Sequence, residues 1–325
     1  RDSSTSRGLG DVYKRQTQKY KAVCKVRSRV RFALTGTPVE NRLGELWSIF
    51  SFLMPGYLPP YKSFCSRFEK PIVQEEDQTA VRRLNQLTGP FILRRMKADV
   101  LKELPPKTEN VYRIELEEEQ RKLYLAAVVD AREKLRAAKP EDKMAVFAVL
   151  MRLREICCDP RLIADNWEGG SAKLDACAEL VSSAVEGGHR ILLFSQFTSM
   201  LELLAKRLDA EGISHFTLQG STPKPVRAEL VRRFNGGEVS VFLISLRAGG
   251  TGLNLTAADI VIHYDPWWNV AAQNQATDRA YRIGQQNPVQ VYKLIAQDTI
   301  EEKIVELQQA KQSLADTCLL YTSPS

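Results

Sequence analysis

The chemistry of this chain concentrates in one stretch, Gln275-Ala276-Thr277-Asp278-Arg279-Ala280-Tyr281-Arg282-Ile283-Gly284-Gln285. On a helix, spacings of four and three would bring Gln275, Arg279 and Arg282 onto one face. Guanidinium groups stay charged at any working pH, and their planar fork matches phosphate oxygens two at a time. Two of them held rigidly together suit a triphosphate that is being hydrolysed. A solvated basic helix face is the competing reading of the same spacing. Upstream lies a glycine turn, Arg247-Ala248-Gly249-Gly250-Thr251-Gly252-Leu253-Asn254. Glycines leave backbone amides uncovered, so a phosphate can approach closely. A tight turn needed only by the fold is the alternative there.

These residues need a scaffold, and the second half of the chain supplies one. Short apolar runs at 190–195, 215–218, 239–245, 260–264 and 289–295 alternate with amphipathic stretches at 198–211, 223–235 and 298–315. Such alternation predicts an α/β fold with a parallel sheet covered on both faces. Ligands in such sheets bind beyond the carboxyl ends of the strands. Ser195, the glycine turn and Asp265 all fall at predicted strand ends. The first half differs. Residues 30–36 read as one strand running into a turn at Thr37-Pro38, and 42–53 as a helix. From about 54 to 165 the pattern is charged and helical, with long helices at 117–138 and 143–157. Asp159-Pro160 and Gly169-Gly170 close that segment.

Bulk composition narrows the class without fixing it. The 325 residues carry 46 Lys+Arg against 39 Asp+Glu. Ser6 to Gln16 and Cys318 to Ser325 look like translated sequencing-adapter ends, so 1–16 and 318–325 are set aside as scars. Without Arg1, Arg7, Lys14, Arg15, Asp2 and Asp11 the balance is 42 basic against 37 acidic residues. That mild excess is compatible with nucleic acid and does not by itself indicate it. No apolar run reaches the length of a membrane span. Cys24, Cys65, Cys157, Cys158 and Cys177 form no CxxC pair, and His189, His215 and His263 show no ligand spacing. Neither a metal site nor a disulfide framework is predicted, and a reducing compartment is the default.

A family resemblance now gathers these pieces. Leu34-Thr35-Gly36-Thr37-Pro38 with Asn41 resembles motif III of superfamily-two helicases. Phe91 to Val100, ending Leu104-Pro105-Pro106-Lys107, is similar to the linker signature of SWI/SNF-type ATPases. Ile191 to Phe197 resembles motif IV, Ser245 to Leu255 motif V, and Gln275 to Gln285 motif VI. The ordered set covers essentially all of 17–317, and the string from Asp265-Pro266-Trp267-Trp268-Asn269 onward looks more like bacterial members. Family members begin with a RecA-like lobe carrying a G-x-x-x-x-G-K-[ST] loop and an Asp-Glu pair. This sequence holds no Gly-Lys-Ser, Gly-Lys-Thr or Asp-Glu. The resemblance therefore implies a C-terminal fragment: 17–53 the tail of lobe one, 54–165 a helical protrusion and linker, 166–317 a second RecA-like lobe.

By the same resemblance, the parent protein is an ATP-dependent translocase on double-stranded DNA that remodels protein–DNA complexes. ATP and magnesium are its implied cofactors, held mostly by the first lobe, and this fragment alone is expected to be inactive. Arg282 would reach the γ-phosphate with Arg279 beside it and Gln275 orienting, while Gly250, Gly252 and Asn254 would line the nucleotide. Ser195, Gln196, Gly220, Ser221, Ser245, Gly249, Thr251, Trp268, Thr35 and Thr37 would meet DNA, mainly its backbone. Arg94, Arg95 and Lys97 would orient the lobes or touch DNA. Tyr281 stands where many relatives carry histidine, so nucleotide sensing by protonation is not expected there. A nucleic-acid-binding module that never hydrolyses ATP is the alternative function. An RNA helicase is disfavoured by the linker and the helical insertion. A monomer is expected, cytoplasmic and nucleoid-associated in a bacterium or nuclear in a eukaryote.

Overall fold

The computed structural model describes residues 18–26, 28–35, 43–93, 101, 103–137, 143–164, 166–249 and 252–319. The chain divides into two compact units: Arg1–Val100 with Asn269–Ala271 and Gln308–Ser325, and Leu101–Trp268 with Ala272–Leu307.

The first unit is mainly helical where described. It holds α1 (Gln18–Cys24), α2 (Leu43–Leu53), α3 (Tyr61–Phe64), a π-helical turn (Cys65–Glu69), α4 (Lys70–Gln74) and α5 (Gln78–Thr88). Leu43, Leu46, Trp47 and Phe50 of α2 pack with Phe64, Phe68, Ile72, Val81 and Leu84 in one apolar core. Helix α5 starts at Asp77, whose carboxylate accepts the Thr79 and Ala80 amides at 2.7 and 3.2 Å, satisfying two otherwise orphaned donors. The strand expected at 30–36 is not formed in its described part, 30–35. A strand requires a hydrogen-bonded neighbour; here Phe32 and Leu34 stand 80% and 76% exposed.

The second unit is built on a six-stranded, wholly parallel sheet. Its strands are β1 (Lys107–Ile114), β2 (Ile191–Ser195), β3 (His215–Leu218), β4 (Val241–Ser245), β5 (Ile260–His263) and β6 (Val289–Ala296). Their spatial order is β1-β6-β5-β2-β4-β3. Central strands Ile-Leu-Leu-Phe-Ser, Val-Phe-Leu-Ile-Ser and Ile-Val-Ile-His are buried at every position, as a sheet covered on both faces demands. Alternation sorts them: Ile191, Leu193, Leu243 and Ile262 enter one core, Leu192, Phe194, Phe242 and Val261 the other.

Helices cover both faces. They are α6 (Glu118–Ala137), α7 (Lys143–Cys158), α8 (Ala172–Glu186), α9 (Thr198–Ala210), α10 (Lys224–Asn235), α11 (Leu246–Gly249), α12 (Val270–Thr277) and α13 (Ile300–Leu319). Met200, Leu201, Leu204 and Leu208 of α9 join the first core, and Phe234 of α10 the second. Helix α13 continues two residues past the predicted boundary at 317.

One element departs from the sequence reading. Residues 107–114, expected inside the helical segment, form edge strand β1, paired in register from Lys107↔Val289 to Ile114↔Ala296. Seven of its eight residues are exposed, so it lacks the apolar signature of the buried strands. Lys107 and Lys293 both reach the Glu109 carboxylate at 2.7 Å. Although burial opposes it, these hydrogen bonds and charges bring the Glu109 pKa down to about 2.

Candidate nucleotide and nucleic-acid site

The arginine stretch is not one helix. Helix α12 ends at Thr277, and residues 278–284 continue as turns. Gln275, Arg279 and Arg282 therefore do not share a helical face, contrary to the spacing argument. Tertiary anchors end the helix. His263, the last residue of β5, sits 2.9 Å from the Thr277 hydroxyl through Nε2. The Leu255 amide donates to the Arg279 carbonyl at 3.0 Å. Ala276 and Ala280 are buried in the second core, and the Gln285 side chain donates to the Ala258 and Ala280 carbonyls at 2.7 and 3.1 Å. Gly284, at φ 101°, makes the reversal a side chain would strain. The segment thus runs from the carboxyl end of β5 along loop 253–258 to a point just before β5.

Both predicted arginines lie on this turn, unevenly exposed. Arg282 is exposed and donates from Nη1 to the Leu253 carbonyl at 3.3 Å. Arg279 is half-buried, and its Nε is buried without a hydrogen-bond partner. An idle buried donor costs about 1–3 kcal/mol. Burial first, and the Arg282 guanidinium second, lower the Arg279 pKa, while Asp278 opposes them. Among the described residues neither guanidinium forms an ion pair with a carboxylate. Two cations thus share one turn with no carboxylate among the described residues to pair them, and with the buried Arg279 Nε unpartnered, an arrangement an anion would relieve. Gln275 is exposed nearby in sequence. Gly252 takes φ 55°, and the Asn254 carbonyl accepts from Asn235 at 2.9 Å. Gly250, Thr251 and Thr37 lie outside the described residues, as do Arg94, Arg95 and Lys97; Gly249 closes α11. Lys107, from the linker signature, stands 5.8 Å from the Tyr281 ring centre.

The carboxyl ends of the strands carry a second set. Gly220 and Ser221 are exposed after β3, and a Cβ at Gly220 would meet open space. Arg227, which the sequence reading missed, pins that loop by donating to the Thr222 and Gly220 carbonyls, both at 2.7 Å. Ser195 and Ser245, by contrast, are 1% and 3% exposed. The Ser195 hydroxyl donates to Asp265 at 2.6 Å, and the Ser245 hydroxyl accepts the Ala248 amide at 3.3 Å. Both hydroxyls serve internal bonds rather than a surface, so neither supports the DNA contact expected of it. Gln196 is half-buried, its amide given to Asp265 at 3.1 Å. Trp268 is half-buried over the Arg154 guanidinium. Thr35 is half-buried in the other unit.

A parallel lobe with an arginine turn beside a glycine loop, and polar loops at its strand ends, defines the C-terminal domain of a superfamily-two helicase. Comparison agrees: the helicase conserved C-terminal domain matches residues 172–284, and the SNF2-related domain matches 10–162. The chain belongs to the SNF2-related, SWI/SNF-type family. An uncharacterized ATP-dependent helicase of Mycoplasma genitalium is 40% identical over 305 residues, 92% of this chain and 29% of its own length. The mouse SWI/SNF-related matrix-associated actin-dependent regulator of chromatin subfamily A member 1 is 39% identical over 302 residues, 89% of this chain and 29% of its own. The SWI2/SNF2 ATPase core of Sulfolobus solfataricus in complex with double-stranded DNA superposes with TM-score 0.58 at 33% identity. That match covers 100% of this chain and 73% of the archaeal one. The chain thus spans about three-tenths of the length of these curated relatives.

Proposed function

We propose that this chain is the part of an ATP-driven double-stranded-DNA translocase that supplies the phosphate-neutralising arginines and the second set of backbone contacts. The carrying observation is the turn 278–284, where Arg279 Nε is buried and partnerless and Arg282 is exposed and without a carboxylate among the described residues. Arg282 would reach the γ-phosphate, with Arg279 beside it and Gln275 orienting. Gly250, Gly252 and Asn254 would approach the nucleotide through backbone. Phosphoryl transfer depends on positioning and charge neutralisation, and an inserted arginine is worth about 10³–10⁵ in rate. The described residues contain no group of three or more His, Cys, Asp or Glu able to hold a metal. Those residues do not fit a magnesium ion.

Gly220 and Ser221 are the best-placed DNA contacts, exposed on a loop that Arg227 stiffens. Gln196, Trp268 and the motif-III threonines follow as further contacts by family analogy. Backbone contacts of this kind carry no sequence preference, as a motor moving over any base requires. Protein–DNA complexes are the proposed target and a monomer the proposed state. No helix among the described residues is long and apolar enough to cross a membrane.

The test joins this chain to a first lobe that carries a G-x-x-x-x-G-K-[ST] loop. Arg282→Ala should lower DNA-stimulated ATP hydrolysis by about 10³ or more while duplex affinity changes little. A matching loss of DNA affinity would move Arg282 onto DNA. Unchanged hydrolysis would remove Arg282 from the reaction, and a joined protein that binds duplex but never hydrolyses ATP would favour the binding module. The chain by itself should hydrolyse ATP at background.

A further inference from the structure

Among the described residues the largest fully buried side chain is that of Arg154, on α7. Its Nη2 donates to Asp265 Oδ2 at 3.1 Å and to the Pro266 carbonyl at 2.6 Å. The other Asp265 oxygen takes the Ser195 hydroxyl at 2.6 Å and the Gln196 amide at 3.1 Å. Three rings surround the guanidinium, with Phe197, Trp267 and Trp268 centred 5.4, 5.6 and 5.7 Å from its central carbon. One cation therefore ties together α7, the end of β2 and the segment following β5.

Stability alone does not account for it. A wholly buried ion pair can often be replaced by apolar side chains of similar volume without loss. What an apolar pair cannot reproduce is the directed set of bonds that holds two strand ends at fixed positions. The segments so held carry Gln196 and Trp268. The cluster also keeps slack, because Arg154 Nε and Gln196 Oε1 are both buried without partners. The Gln196 carboxamide is held inward only by a 4.0 Å approach of its nitrogen to the Met151 sulfur, so turning outward sacrifices little.

We infer that Arg154 is a positioning residue for nucleic-acid binding: without touching DNA, it sets where Gln196 and Trp268 meet the duplex. This rests on the reading above that these strand ends contact DNA. The test measures binding of the full chain to a labelled DNA duplex across a salt series. It compares the unaltered chain with Arg154→Met, Arg154→Lys and the charge-neutral pair Arg154→Met/Asp265→Asn.

Arg154→Met should raise Kd roughly tenfold, a loss of about 1.4 kcal/mol as the Gln196 and Trp268 contacts are misplaced. The slope of log K against log salt should stay unchanged, because neither Gln196 nor Trp268 carries a charge that neutralises a phosphate. Lysine, a point charge without the fork, should restore only part. The charge-neutral pair leaves no lone buried ion and should fold, yet still bind weakly. Acrylamide quenching of tryptophan fluorescence in the free protein should rise in Arg154→Met as Trp267 and Trp268 loosen. Unaltered affinity in the charge-neutral pair would overturn the inference, reducing Arg154 to a counter-charge for Asp265. A shallower salt slope would overturn it too, by placing Arg154 on phosphate. Should the unaltered chain fail to bind duplex, the DNA reading falls, and the quenching result alone decides whether Arg154 positions these segments.

Discussion

Acidification should unfasten the arginine turn through His263. This imidazole is 2% exposed, stacks on Phe194 at 5.7 Å between ring centres, and meets the Thr277 hydroxyl at 2.9 Å. Burial first, then the Lys293 charge, bring its pKa from 6.5 to about 3. The folded protein therefore keeps His263 neutral where the unfolded chain already binds a proton. For such a depressed base, the contribution to stability is complete above the unfolded pKa and drains away as pH falls from 6.5 toward 3. At about 1.4 kcal/mol per pH unit, stability should drop by about 2 kcal/mol between pH 7 and pH 5. That is a sizeable share of the roughly 5–15 kcal/mol typical of a domain. Burial raises the carboxyl pKa values of Glu155 and Glu301, which act with the opposite sign as pH falls. The comparison must therefore be with His263→Gln, whose amide nitrogen can stand in for Nε2 toward Thr277 and does not titrate. Urea unfolding of both proteins at pH 7, 6 and 5 makes the measurement. The gap between them should close by about 2 kcal/mol. Parallel losses would refute the reasoning.

Two further perturbations test the packing. Lys173 Nζ lies 2.7 and 2.5 Å from the two Glu301 oxygens, both side chains wholly buried. Burial opposes the lysine charge, but Glu301 outweighs it and raises the Lys173 pKa. Lys173→Met should cost about 3–5 kcal/mol in urea unfolding, and Lys173→Met/Glu301→Leu should regain most of that. In the helical unit, Asp77→Ala removes the cap of α5 and should cost about 1 kcal/mol. A calorimetric scan that leaves that transition unmoved would mean the cap is not limiting.

How legible all this was depended on burial. Strands β2, β4 and β5 announce themselves because unbroken Val, Ile, Leu and Phe runs can only be covered on both faces. Strand β1 does not: Lys-Thr-Glu-Asn-Val-Tyr-Arg-Ile is nearly all exposed, and its place comes from pairing with β6. The expected strand at 30–36 failed from the other side, since local composition cannot supply a neighbouring strand. The arginine turn looked helical because no glycine or proline interrupts 275–283. Its actual course is set by His263, Leu255 and Ala258, none of which a local window contains. Arg154 left a readable trace, a lone charge with Met151, Cys157 and Cys158 at helical spacing on one face. Only the partner at Asp265, 111 positions away, explains it.

That partnership and its counterpart point to one mechanism for fixing the lobe. Arg154–Asp265 and Lys173–Glu301 both join a flanking helix to chain just beyond a sheet strand, across separations of 111 and 128 residues. Glu301 also accepts the Ala296 amide at 2.8 Å, so each carboxylate grips backbone at or beside a strand end as well as its cation. An apolar interface tolerates small slides, because burial is nearly indifferent to direction. A buried carboxylate with all its bonds made does not, because a slide strands a charge where none can be solvated. The two pairs therefore fix the chain beyond the carboxyl ends of β5 and β6 with directed bonds that the apolar cores alone do not supply.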